Sequence, residues 1–194
     1  HLKSPKIPGL PPLTGGLVGY MGYDSVRRLE KLPSRSEKDI PLPEIAFMLT
    51  SDLAVMDHAE GTITLIANAI NWDGSSERID EAFHDAQLRL DRMQFELQGS
   101  LPGFVDQIPE RTKPEFTQNI SSAQFQSQVL KAKEEIVAGE AFQIVLSQRF
   151  AMKCQADALD VYRALRLHNP SPYMYLFRFT DGIEVVGSSP EALV

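Results

Sequence analysis

The sequence predicts an α+β fold, in which antiparallel β-sheets pack against helices. Two β-rich runs, residues 47–56 and 62–70, flank a short turn-like segment and are typical of a hairpin. A second hairpin is indicated near the carboxyl end, where Asp181-Gly182 separates two further apolar runs. Helical patterns lie between these hairpins without strict alternation of strand and helix, which disfavours a parallel α/β sheet.

The composition is that of an ordinary globular protein with enough residues for a sizeable core. The 194 residues are 43% hydrophobic and 23% charged. The net charge of -7 excludes a large basic surface for nucleic acid. The single cysteine, Cys154, rules out an internal disulfide and fits a reducing cytosol. No apolar run approaches the roughly 18 residues of a membrane helix, so we expect a cytoplasmic protein that binds neither nucleic acid nor membrane.

Two blocks joined by a linker are predicted, residues 1–97 and residues 116–194. The intervening residues 98–115 show no hydrophobic periodicity and are therefore assigned to the linker. This segment contains five turn-forming residues, Gly99, Pro102, Gly103, Pro109 and Pro114.

The first block opens with a glycine-rich segment, Gly15-Gly-Leu-Val-Gly-Tyr-Met-Gly-Tyr-Asp24. It lacks the spacing and the Lys-Ser/Thr pair of a phosphate-binding loop. Residues 20–24 instead predict a strand whose glycines allow close backbone packing. After the hairpin, the loop at 71–76 offers a serine as the cap of a long helix. The apolar stripe of that helix comprises Ile79, Phe83, Ala86, Leu90, Met93 and Leu97.

The second block predicts two helices and a long strand before its hairpin. Ser122 is the expected cap of a helix that Gly139 terminates. Residues 141–152 predict a strand with one apolar face and one mixed face, and Gln143 lies on the mixed face. Asp157 is the expected cap of the second, shorter helix.

The most informative feature is the segment Asn169-Pro-Ser-Pro-Tyr-Met-Tyr175, followed beyond the hairpin by Gly187-Ser-Ser-Pro-Glu191. Two prolines in four residues stop a helix and hold the backbone extended. A proline restricts the backbone just before Glu191, and the small residues before that proline leave space around the carboxylate. That carboxylate can accept a proton or steer a nucleophile, and the layout suits a rigid small-molecule site.

Other chemical sites are not supported by the pattern. The four histidines do not share metal-ligand spacing. Ser171 lies near His168, but the sequence around Ser171 is not the Gly-x-Ser-x-Gly turn of a hydrolase.

These motifs resemble the chorismate-utilising enzymes, and within that family the anthranilate synthase component I branch. The resemblance rests on residues 139–150, on Asn169-Pro-Ser-Pro-Tyr-Met174 and on Gly187-Ser-Ser-Pro-Glu191, in the family's order. The glycine-rich segment at 15–24 and Asp57-His58 resemble the amino-terminal domain of that branch. The resemblance assigns residues 1–97 to the end of that domain and residues 116–194 to the start of the chorismate-binding domain.

The resemblance implies a lyase that converts chorismate and ammonia into anthranilate and pyruvate, the first committed step of tryptophan biosynthesis. It implies Mg²⁺ as cofactor, a glutaminase subunit that supplies ammonia, a hetero-oligomeric assembly, and feedback inhibition by tryptophan. A dianionic substrate needs a cation, which makes the metal chemically reasonable.

The resemblance also implies roles for particular residues. Glu191 matches an active-site glutamate and is expected to transfer a proton or steer the nucleophile. Gln143 is expected beside the active site, where water-adding relatives carry a lysine. Ammonia is already a good nucleophile and needs no strong base, so glutamine fits amine addition. The expected tryptophan-binding residues are Asn169, Pro170, Pro172, Tyr173, Met174, Tyr175 and Gly187.

Chains of this family are longer on both sides, so we expect a central piece of such an enzyme that is inactive alone. The Mg²⁺ ligands and most substrate-binding residues are expected outside residues 1–194, with no metal site within them. Two alternatives stay open. One is aminodeoxychorismate synthase component I, which also carries a glutamine at this position. The other is a tryptophan-binding module without catalytic activity.

Overall fold

A computed structural model of the chain describes residues 5–33, 40–100 and 115–192. The chain divides into two compact units, His1–Gly103 and Phe104–Val194. Most of the predicted linker, residues 101–114, lies outside the described residues.

The first sheet of unit 1 pairs β1 (Gly16–Met21) with β2 (Ile45–Thr50) in antiparallel register. Gly19 stands opposite Phe47, and a Cβ atom on Gly19 would collide with the carbonyl oxygen of Ala46. Glycine is therefore needed for the close approach of the two backbones, as the sequence predicted.

The predicted strand at residues 20–24 ends earlier than expected. Residues Tyr23–Arg28 form a 3₁₀-helix, so Tyr23 and Asp24 leave the sheet. Asp24 accepts a hydrogen bond from Nε of Arg27 at 2.7 Å. This ion pair closes the short helix locally, whereas the sequence pattern had indicated a continuous strand.

The second sheet of unit 1 is the predicted hairpin of β3 (Asp52–Asp57) and β4 (Thr62–Ala67). The prediction of a single strand at residues 47–56 is wrong, because these residues are divided between β2 and β3. The carbonyl of Ser51 accepts hydrogen bonds from the backbone and side-chain amides of Asn68, each at 2.9 Å. Ser51 is thus the point at which the chain changes its pairing partner.

The long helix α1 (Ile79–Leu97) spans the predicted apolar stripe and packs against β4. Its N-cap is Arg78, which makes no side-chain capping bond, so the expected serine cap is wrong. Hydrogen bonds within the loop at residues 71–76 stabilise it instead. The side-chain amide of Asn71 donates to the Ser75 carbonyl at 2.6 Å, and Asp73 accepts from the Ser75 amide at 2.9 Å.

The predicted sizeable core is not found in the described part of the chain. Ala86 of the α1 stripe, 5% exposed, is the one apolar residue there that is buried. The reason lies in the sheets, since each described sheet has two strands. Two-stranded sheets cover little apolar surface on their own.

Unit 2 begins with α2 (Ser122–Val137), which is capped one residue earlier than predicted. Ser121 Oγ accepts from the Gln124 amide, and Gln124 Oε1 accepts from the Ser121 amide at 2.8 Å. This reciprocal pair is a capping box. Gly139, with φ of 84°, ends the helix as predicted.

The predicted strand at residues 141–152 is mostly absent. Only Phe150–Ala151 form a strand, β6, which pairs with β5 (Thr117–Gln118). A strand needs a neighbour for its backbone hydrogen bonds, and within the described ranges residues 141–148 belong to no strand ladder. Phe142 is consequently 95% exposed.

The end of unit 2 matches the sequence prediction closely. The helix α3 (Ala158–His168) is capped by Asp157, whose carboxylate accepts from the Leu159 amide at 2.8 Å. Strands β7 (Tyr173–Arg178) and β8 (Glu184–Ser189) form the second hairpin, with Gly182 at φ of 83° in its turn. The α+β class is therefore confirmed. None of the helices in the described ranges is long and apolar enough to cross a membrane.

Candidate functional site

Apart from Gln143, the predicted site residues lie on the β7–β8 hairpin, at or near its open end, and on the segment that leads into it. Tyr173, the first residue of β7, pairs with Ser189, the last residue of β8. Glu191 follows two residues later, after a bend at Pro190, and Ser189 Oγ donates to the Glu191 carbonyl at 3.1 Å. Paired Cα atoms are about 5 Å apart, and two residues extend at most about 7 Å. Tyr173 and Glu191 therefore share one end of the hairpin.

One face of this hairpin is aromatic. The rings of Tyr175 and Phe177 stack with centroids 4.8 Å apart, and Phe177 meets Phe179 edge-on at 6.1 Å. Tyr173 belongs to the same face because strand side chains alternate, and it is 51% exposed. The aromatic row is therefore open to a ligand at the Tyr173 end.

Gly187 leaves the space that the Tyr175 ring of this aromatic row occupies. It pairs with Tyr175 in the register, and a Cβ atom on Gly187 would collide with the Tyr175 ring. The ring lies across the glycine, so the glycine is needed for ring packing and not for an unusual backbone angle.

The opposite face of the hairpin turns toward α3. Arg178 donates to Asp157, the cap of α3, and to Glu184 on β8, each at 2.7 Å. The Glu184 hydrogen bond, with the charge of Asp157, raises the pKa of Arg178 above its ordinary value. Met174 alternates with Tyr173 and shares the Arg178 face. The thioether and the tyrosine rings of the predicted effector set thus lie on different faces.

The diproline segment, residues 169–172, connects α3 to β7, and we call it the elbow. The Asn169 amide donates to the Leu165 carbonyl at 2.8 Å and ends α3. Pro170 and Pro172 are exposed. Ser188 Oγ lies 2.7 Å from the Asn169 carbonyl and 2.9 Å from Ser171 Oγ, which ties the elbow to β8. Sequence reasoning missed Ser188, although its position inside Gly187-Ser-Ser-Pro-Glu191 was a signal.

Gln143 is not brought to this site by any hydrogen bond among the described residues. It is exposed in the extended segment between α2 and β6. Its predicted place beside the active site therefore stays a prediction.

A metal site does not fit the described part of the chain. In residues 5–33, 40–100 and 115–192, no three His, Cys, Asp or Glu side chains lie close enough together to hold an ion. The carboxylate of Glu191 is thus not part of a cluster of three metal-ligating side chains there.

A cavity of about 540 Å³ lies in unit 1, and none of the predicted site residues lines it. It is lined by the loop after β4 and the first turns of α1, including Trp72, Arg78 and Arg89. Both arginines already have acidic partners, Glu81 for Arg78 and the pair Asp52 and Asp85 for Arg89.

The comparisons with known proteins decide the family. The model of the family described as chorismate binding enzyme matches residues 2–194. This chain belongs to the chorismate binding enzyme family.

Individual members of the family are similar over nearly the whole chain. The "Anthranilate synthase component 1" of Mycobacterium tuberculosis is 50% identical over 192 residues, which is 96% of this chain and 37% of that protein. The protein of the same name from Mycolicibacterium smegmatis is 50% identical over 206 residues, covering 100% of this chain and 38% of the relative. The chain thus spans less than two fifths of these curated relatives.

A solved member of the family supports the fold. The crystal structure of anthranilate synthase component I from Streptococcus pneumoniae aligns with a TM-score of 0.75 at 31% identity. The alignment covers 98% of this chain and 42% of that one.

Proposed function

We propose that the whole protein carrying this chain is an anthranilate synthase component I. It is a lyase that converts chorismate and ammonia into anthranilate, pyruvate and water in the first committed step of tryptophan biosynthesis. Family membership and the relatives' names support this proposal. The observation that carries it is the hairpin end, where Glu191 and the elbow stand beside each other.

The proposed reaction has two balanced steps. Ammonia adds at C2 of chorismate while the C4 hydroxyl leaves with a proton as water. The C2 proton is then removed as the bond between ring carbon C3 and the enol ether oxygen breaks, which gives the aromatic ring of anthranilate. The released enolpyruvate takes up a proton on its methylene carbon and becomes pyruvate.

Glu191 is the group in this chain that we propose to act on these protons. It is exposed at the hairpin end, beyond a proline that fixes its approach. A carboxylate in this position accepts a proton from the adding ammonia or orients it toward C2. Gln143 would contribute a neutral amide that does not activate water.

The elbow and the aromatic row are the proposed tryptophan site. Tyr173 and Tyr175 provide flat apolar surface for an indole ring. The carbonyls of an extended diproline segment can accept hydrogen bonds from an ammonium group. Met174 lies on the other face of the strand, so it would meet the ligand only around the hairpin end.

The remaining expectations concern parts of the whole protein beyond these residues. Mg²⁺ would be held by ligands outside this chain, since the described residues lack a suitable group. We further propose a glutaminase partner subunit, a hetero-oligomeric assembly and a cytoplasmic location.

The test is product formation by the whole protein with chorismate, Mg²⁺ and ammonium. We expect anthranilate fluorescence and an equal amount of pyruvate. Aminodeoxychorismate without pyruvate would instead favour aminodeoxychorismate synthase component I, because a glutamine at position 143 is compatible with that enzyme as well. Tryptophan binding in calorimetry without chorismate binding or turnover would favour the noncatalytic module.

A further inference from the structure

Ser188 stands where three elements of unit 2 meet. Its hydroxyl oxygen lies 2.7 Å from the carbonyl of Asn169, the C-cap of α3, and 2.9 Å from the hydroxyl of Ser171 in the elbow. Ser188 itself belongs to β8, and its neighbour Gly187 lies under the Tyr175 ring. One side chain therefore connects the helix end, the elbow and the strand that leads to Glu191.

The direction of these bonds follows from the number of protons. A serine hydroxyl has one proton to donate and two lone pairs to accept with, whereas a carbonyl can only accept. Ser188 consequently donates to Asn169 and accepts from Ser171. The alternative acceptor for Ser171 is the Tyr173 carbonyl at 3.5 Å, which is the longer contact.

The rest of the elbow provides little that could replace this connection. Pro170 and Pro172 have no amide proton to donate and are exposed. The neighbouring Asn169 amide is already used by the end of α3. Among the described residues, the two bonds through Ser188 are the side-chain hydrogen bonds that join the elbow to β8.

We infer that Ser188 is a positioning residue that holds the elbow against β8 in the conformation that binds the inhibitor. The regulatory part of this inference rests on the proposed function. Without the hydroxyl, the elbow stays attached to α3 and β7 but loses its connection to β8. A ligand then has to order the elbow when it binds, and that ordering lowers its affinity.

The experiment uses the whole protein and three variants. Ser188→Ala removes the connection, Ser188→Thr keeps the hydroxyl on a residue that suits a strand, and Ser127→Ala removes an exposed hydroxyl from α2 as the matched control. We expect Ser188→Ala to raise the half-inhibitory concentration of tryptophan at least about fivefold, because the loss of one hydrogen bond alone gives a change of that size and the substitution removes two. Ser188→Thr and Ser127→Ala should resemble the wild type.

A second readout separates this inference from the proposed function. Amide hydrogen exchange at Ser171, Tyr173 and Met174 should be faster in Ser188→Ala and unchanged in Ser127→Ala. Equal exchange in Ser188→Ala and wild type overturns the positioning role, with or without catalytic activity. Faster exchange with an unchanged half-inhibitory concentration overturns the regulatory role. If the wild type forms no anthranilate, the proposed function is wrong. The positioning role of Ser188 is still tested, because hydrogen exchange in the elbow does not depend on catalytic activity.

Discussion

The ring of Tyr175 lies across Gly187, its partner in the β7–β8 register, where any side chain would collide with it. The same ring stacks on Phe177 at 4.8 Å. The aromatic row therefore depends on a residue of the opposite strand that has no side chain.

Gly187→Ala is expected to push the Tyr175 ring out of the stack. The ring end can move, since Tyr175 is partly exposed, so the free energy of unfolding should fall by only about 1 kcal/mol, the value of an aromatic pair. Urea unfolding measures this. In a Tyr175→Ala background the same substitution should have almost no effect, and an equal loss in both backgrounds would show that the ring is not the cause.

The cap of α2 gives a prediction about stability. Ser121→Ala removes the Oγ acceptor of the capping box and should lower the free energy of unfolding by about 1 kcal/mol. Ser122→Ala, one residue along, is the matched control and should be nearly neutral. The opposite ranking in urea titrations would mean that Ser122 is the cap, as the sequence alone suggested.

Local signals account for what the sequence predicted correctly. The Asp157 cap, the α1 stripe and the Asp181-Gly182 turn depend on residues within a few positions of one another, so spacing alone predicts them. Ser121 and Ser122 are adjacent potential caps, and only the Gln124 contact distinguishes them.

Nonlocal pairing accounts for what the sequence could not predict. Residues 141–149 have strand-like alternation, but a strand also needs a neighbour paired with it along its length, and the ladder in the described ranges begins only at Phe150. Ser188 was missed for the same reason, because its partner Asn169 is 19 positions away. The position of Glu191 beside Tyr173 followed from the hairpin, and the separation of Met174 from the tyrosines follows from the alternation of side chains along β7.

The loop at 71–76 should respond to acid. Hydrogen bonds from Ser75 hold the pKa of Asp73 below its ordinary value. The pKa of Asp73 is lower in the folded loop than in the unfolded chain, so the ionised carboxylate stabilises the loop at pH values above the unfolded pKa. This stabilisation is lost as the pH falls through the lower pKa of the folded loop. We expect the Ser75 amide resonance to move below about pH 4. A resonance that titrates near neutral pH, or is unchanged by Asp73→Asn, would contradict this.

The 194-residue chain alone is expected to form no anthranilate from chorismate, ammonium and Mg²⁺. Its described residues contain no cluster of three metal-ligating side chains and bury a single apolar side chain. Fluorescent product from the purified chain at a rate proportional to its concentration would refute this expectation.

The most direct measurement is the rate of anthranilate formation by the whole protein carrying Glu191→Gln, compared with Glu134→Gln on the exposed face of α2. Loss of a group that transfers or directs a proton should lower kcat at least about 100-fold, while Glu134→Gln should keep the wild-type rate. A Glu191→Gln protein with more than half of the wild-type kcat would contradict the assignment of the hairpin end to chorismate chemistry.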